Sequence, residues 1–192
     1  MNLSTASATS ALNAICEVLI SGNLKLYSGT IPATPETAFT GSLLATFVFS
    51  ATPFTTPSLA STTESTVASF VSSTVTPSAS GTVGYGRATI TAAAWIASTV
   101  YSTVNTMVTA NSNLYQLLKS GTSTTGTGPS TTSNSIADGT CQWAYYGPAT
   151  ALTVADFTVG TTAGFDIVVG STVLSNVVPV TLSSFAMTTS AL

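Results

Sequence analysis

The chain has 192 residues, of which nine are charged and none is histidine, for a net charge of −3. So few ionisable groups argue against an enzyme, because catalysis moves protons and charge through such side chains. Three cations far apart in sequence (Lys25, Arg87 and Lys119) cannot build the basic stripe that grips nucleic acid.

Polarity comes from hydroxyls instead, with 66 residues being Ser or Thr. The hydrophobic fraction of 44% is that of a chain with a core, whereas disordered chains combine low hydrophobicity with high charge. Abundant Thr and Val, with Ile, Phe and Tyr, favour pleated strands over helices. Well-behaved soluble surfaces carry roughly 25–35% charged residues, so a surface this neutral suits one covered by neighbours in an assembly, which implies a homo-oligomer. A neutral, Thr-rich secreted protein is the alternative.

In chain order, the stretch Met1 to Ser10 has neither a basic residue nor a long apolar run and does not read as a signal peptide. The first expected element is a helix capped by Ser7 or Ser10. Leu12, Ile15, Cys16 and Leu19 form its apolar stripe, and Gly22-Asn23 its left-handed stop. Leu24 to Tyr27 alternates as a strand, and Thr30 to Pro35 is an extended connection because its two prolines bar a helix or a central strand. Leu43 to Phe49 reads as a second strand.

From residue 51 to 139 the character changes, and the chain is expected to be one β-rich domain over 1–192 with this stretch as an insertion or arm. Pro53 and Pro57 break the chain, Val67 to Val75 looks like a strand, and Gly81, Gly84 and Gly86 mark turns near Tyr85. Ala88 to Tyr101 is ambiguous: Ile96, Val100, Val104 and Val108 recur every four residues, which suits a helix, while the β-branched content suits strands, and the reading taken is strand up to about Ser98 and helix beyond it. A short helix is expected over Leu114 to Lys119, capped by Asn111 or Ser112. Gly121 to Ser135 is low in complexity and reads as an exposed, mobile loop. The uncharged run from Ala88 to Leu118 is long enough to span a membrane, but Ser102, Thr103, Asn105, Asn111 and Asn113 interrupt it, so no membrane span is expected. From Thr140 to Met187, short alternating strands separated by Gly-containing turns point to an antiparallel sandwich or barrel. The fold class expected is therefore mainly β, a sandwich-like domain with an N-terminal helix and a long insertion.

Two stretches carry a resemblance. The segment LKLYSGTIPATPETAFTGSLLATFVFS, Leu24 to Ser50, resembles one recurring in small structural proteins of tailed bacteriophages, where LKIYSG-x-x-PA precedes a TG-x-LLA strand. The C-terminal part is similar to the ending of the same proteins, through Trp143, Asp156, Val159-Gly160, Gly164, Asp166-Ile167, Ser171-Thr172 and Ser183-Ser184-Phe185. Together these cover residues 11–50 and 141–189, and the section between them is longer than in that family. The resemblance implies a virion component without a catalytic role, assembled in the cytoplasm of a bacterial host. Capsid decoration or cement on the major capsid protein is the leading expectation. A neck or tail component and a receptor- or glycan-binding module are the alternatives.

Candidate chemistry is sparse, and no catalytic, cofactor or metal residue is assigned. Asp156 and Asp166 could pair for acid–base work or hold calcium, but calcium wants six to eight oxygens, and turn or strand-edge roles fit them better. Asp138-Gly139 is a turn signal. Lys25 or Lys119 could serve a Ser–Lys pair or an isopeptide bond, with no local motif in support. Gly81-x-x-Gly84-x-Gly86 has the wrong spacing for a phosphate loop. Trp143, Tyr145 and Tyr146 could stack on a glycan, although core and interface packing suits them better. Cys16 and Cys141 are expected as buried free thiols, with a long-range disulfide as the alternative, and two lone cysteines without histidine leave no zinc site.

Overall fold

The computed structural model describes residues 4–55, 58–60, 63–150 and 152–190. Pro57 lies outside them. The protein is mainly β, a sandwich-like fold with one N-terminal helix and an inserted segment. In chain order the elements are α1 (Thr5–Val18), β1 (Asn23–Tyr27), β2 (Leu43–Phe54), β3 (Ser58–Ala60), β4 (Thr63–Phe70), β5 (Thr74–Val75), β6 (Gly81–Thr82) and β7 (Tyr85–Thr89). Next come β8 (Ala93–Ala94), β9 (Val100–Tyr101), β10 (Met107–Ala110), β11 (Asn113–Lys119), β12 (Gly121–Thr122), β13 (Ile136–Asp138) and β14 (Cys141–Pro148). The chain ends with β15 (Thr153–Phe157), β16 (Val159–Gly160), β17 (Ile167–Val169), β18 (Val173–Leu174) and β19 (Val180–Ser190).

Two compact units divide these elements, residues 1–89 with 153–192, and residues 90–152. The inserted unit thus runs from Ile90 to Leu152 rather than over 51–139. The shift has a physical cause. Strands β2, β4 and β7 pair within the main sheet of the first unit, while β13 and β14 pair with β11 in the second. The ends of the inserted unit are tied together by Ile90 N–H donating to the Leu152 carbonyl at 2.7 Å.

In the first unit the main sheet follows the order β15-β7-β1-β2-β4-β19-β17-β16. The two outer strands of that path, β15 and β16, are separated in sequence only by Thr158. Inside lie Leu24, Leu26, Phe47, Phe49, Ile167 and Phe185, each at most 1% exposed. Phe185 meets Phe157 edge-on at 4.8 Å, a favoured geometry for aromatic pairs.

Helix α1 packs on β4 and β19. Its cap is Ser4, whose Oγ accepts from Ser7 N–H at 3.3 Å, so the helix starts earlier than a cap at Ser7 or Ser10 would place it. Ala8, Leu12, Cys16 and Leu19 are buried, whereas Ile15 is 39% exposed. The stripe therefore begins one turn earlier and drops Ile15. The left-handed residue at the helix end is Ser21, with φ of 56°. Gly22 is needed for a different reason, since a β-carbon there would sit 2.5 Å from the Thr89 carbonyl oxygen.

In the second unit β13-β14-β11-β10-β8 form one sheet, and β9 pairs with β12. Neither helix expected here forms. Ser98 and Asn105 adopt φ of 52° and 68°, which ends any helical run between them. Val108 is buried, while Val100 is 70% and Val104 44% exposed, so the four-residue spacing does not define one face. Asn111 and Ser112 have φ of 47° and 62°, and Ala110 pairs with Asn113. Two left-handed residues between paired strands make a tight hairpin whose twist matches the strands, so the expected caps of a helix are the turn of β10 and β11.

Candidate functional site

Each unit holds one buried polar centre. In the first unit Asp156, Arg87, Lys25 and Thr46 lie in one cross-strand row over β15, β7, β1 and β2. Asp156 binds the Arg87 guanidinium at 2.6 Å from Nε and 2.8 Å from Nη2, and both side chains are 5% exposed. Donating these hydrogen bonds to Asp156 raises the Arg87 pKa, against the opposing effect of burial. Arg87 Nη1 donates to the Thr37 carbonyl at 3.0 Å, and its guanidinium lies over the Tyr85 ring.

The connection between β1 and β2 is held to the sheet by the same group. Thr40 N–H donates to the Tyr85 hydroxyl at 3.1 Å, and Phe39 stacks on Tyr27, which stacks on Tyr85. Thr40 Oγ1 donates to the Thr30 carbonyl. A β-carbon at Gly84 would collide with the Gly29 carbonyl, so the glycine there serves close backbone approach. Gly86 stands inside β7 under Ile167, and is likewise a packing position rather than a turn.

Asp166 does not meet Asp156. Its Oδ2 accepts from Thr158 N–H at 2.9 Å and Oγ1 at 2.7 Å, and its own N–H donates to Thr158 Oγ1 at 3.2 Å. This reciprocal pair ties Asp166 to the residue between β15 and β16. Among the described residues no three of Cys, Asp and Glu converge as a metal site.

The second unit is built around Asp138, which is 4% exposed at the end of β13. Its Oδ2 accepts from Trp95 Nε1 at 2.8 Å and Trp143 Nε1 at 3.0 Å. Its Oδ1 accepts from Thr124 N–H at 3.0 Å and Oγ1 at 2.6 Å. Burial pushes the carboxyl up, and the bonds from Thr124, Trp95 and Trp143 outweigh that, holding it below its ordinary value. Asp138-Gly139 is a turn as expected, with Gly139 at φ of 66°, but the aspartate also organises the unit. Trp95 lies 43 residues from Asp138, so its part in the pairing gives no local signal.

The segment from Gly121 to Ser135 is fastened rather than loose. Besides Thr124, Gly128 lies against the Trp95 ring, and Asn111 Nδ2 donates to the carbonyls of Thr127 at 3.0 Å and Pro129 at 2.9 Å. Trp143 is fully buried and its N–H is committed to Asp138, so it offers no face for stacking on a glycan. Tyr145 packs edge-on against Tyr115, and Tyr146 is 39% exposed.

Both cysteines are free and buried, Cys16 in the core of the first unit and Cys141 in that of the second. Burial, then the charge of Glu17, pushes the Cys16 thiol up to about 11. Burial, then the charge of Asp138, raises that of Cys141. Neither supplies a thiolate near neutral pH. Lys25 is half-buried and Lys119 exposed, and the one ion pair among the described residues involves neither. Among the described residues no helix is long and apolar enough to cross a membrane.

What remains is surface. Three of the nine charges, on Arg87, Asp156 and Asp138, are buried. Apolar side chains stand out instead. Val173, Val177 and Val178 are 69%, 78% and 59% exposed, and Val71 (73%) lies across from Val48 (43%), with Val71 N–H on the Val48 carbonyl. No family model, no curated protein and no solved structure matches the chain.

Proposed function

We propose that this chain is a non-enzymatic structural protein of a tailed-phage virion, a decoration or cement protein that seats on the major capsid protein and on sister copies. The observation that carries the reading is a surface nearly without charge that exposes several valines. Such a surface lacks the repulsion that keeps proteins apart, and single exposed valines repeated over many copies add up through avidity. The phage-like segments at residues 24–50 and in the C-terminal part add support. The role is passive: contacts are apolar and hydroxyl-mediated, and each one is weak.

Binding of this kind is tested by co-sedimentation of the purified chain with virion shells over a salt series. Apolar, hydroxyl-lined contacts predict retention from low to high salt, since screening acts on charge pairs. Loss of binding as salt rises, or no binding at all, contradicts the proposal.

A further inference from the structure

We propose that the Asp138 carboxylate is a latch: ionised, it fastens the loop after β12 to the two tryptophans of the inserted unit, and protonated, it loosens its hold on that loop. The geometry sets the proton against the strength of the partners' hold. A carboxylate offers about four lone-pair sites, and here four donors use them, two on each oxygen. On Oδ2 a proton would face an indole N–H, which can only donate; on Oδ1 it is accommodated by the Thr124 hydroxyl turning from donor to acceptor. Either way the bonds lose the charge that strengthens them, and Thr124 is the anchor of a segment made only of Gly, Ser, Thr and one Pro from Gly121 to Ser133.

The inserted unit makes this a clean switch. From Ile90 to Leu152 the charged residues are Lys119 and Asp138 alone, so Asp138 is the one carboxyl of the unit. The other titratable groups on the strands around it are Tyr101 on β9, Tyr115 and Lys119 on β11, and Cys141, Tyr145 and Tyr146 on β14. Phenols, thiols and amines titrate far above the acid range. Any acid-dependent change in this unit therefore traces to one group.

The sign follows from the partners. They favour the ionised form, so the contribution is present at neutral pH and is lost only as pH falls through a value below the ordinary carboxylate range. The latch thus holds the shape of this surface segment across neutral and mildly acid conditions and loosens in strong acid.

The full chain carries its own probe, since its two tryptophans are the two that bind Asp138. Tryptophan emission and hydrogen exchange of residues 124–130 are followed from neutral to strongly acid pH, with far-ultraviolet circular dichroism as the check on folding. The expected result is a flat response through mild acid, then one reversible step in which emission shifts and exchange quickens roughly tenfold while the circular dichroism holds. Asp138→Asn puts an amide N–H against two donors, so at neutral pH it should show the acid spectrum and no pH step. Thr124→Val removes one donor and should move the step to higher pH. It carries the test if Asp138→Asn does not fold. A wild-type response without a step, an Asp138→Asn protein with the neutral wild-type spectrum and protection, or an unmoved step in Thr124→Val would overturn the proposal.

Discussion

Asp156 grips the Arg87 guanidinium through both of its oxygens, at 2.6 and 2.8 Å, with each side chain 95% buried. A buried pair is costly to break from one side because a lone charge stays behind. Asp156→Asn should lower stability by about 3–5 kcal/mol, read by urea denaturation. Arg87 also holds the Thr37 carbonyl, so Arg87→Lys, which loses the planar fork, should destabilise as well. A double change of Arg87 and Asp156 to apolar residues of similar size should cost less than the two single changes added together.

Gly86 lies under the Ile167 Cδ1 atom, where a β-carbon would collide. Gly86→Ala should cost about 1–3 kcal/mol through overpacking. Ile167→Val removes the offending Cδ1, so the double variant should be more stable than Gly86→Ala alone. A thermal denaturation series decides it, and equal stability of the two would show that the strands do not meet there.

Ser112 holds a left-handed conformation with φ of 62° in the hairpin between β10 and β11. Ser112→Gly should therefore raise stability by up to about 1 kcal/mol. Were Ser112 instead the cap of a helix, as its sequence first suggests, glycine would cost about a few tenths of a kcal/mol, so the sign of the change separates the two conformations.

The Cys16 thiol is pushed up to about 11 by burial and by Glu17, and Cys141 is also buried. In the native protein at mildly alkaline pH both should react with a thiol reagent far more slowly than free cysteine. Two thiols should appear once the chain is unfolded without reductant. A chain that releases none until reduced would contain a disulfide.

Much of the fold was legible in local pattern. The four-residue recurrence of Leu12 and Cys16 marked the helix, and alternation marked β1, β2 and the C-terminal strands. The failures share one cause. Val100, Val104 and Val108 mimic a helical face, yet Ser98 and Asn105 turn left-handed there; asparagine tolerates that region, but serine gives no such sign. Asn111 and Ser112 suit a helix cap and a hairpin turn equally well, and the pairing of β11 with β14 selects the turn. The two polar centres were invisible for a related reason. Asp156 lies 69 residues from Arg87, and Trp95 lies 43 from Asp138, so only the folded sheet brings them together. The boundary at Ile90 was hidden because the composition does not change there, only the strand partners.

The central claim, a passive structural role in a virion, is tested most directly by quantitative mass spectrometry of purified particles, counting this chain against the major shell protein. A decoration role predicts copies in fixed, near-stoichiometric proportion to the shell subunits, as lattice symmetry requires. A handful per particle would move it to the neck or tail, and absence from the particles would contradict the account.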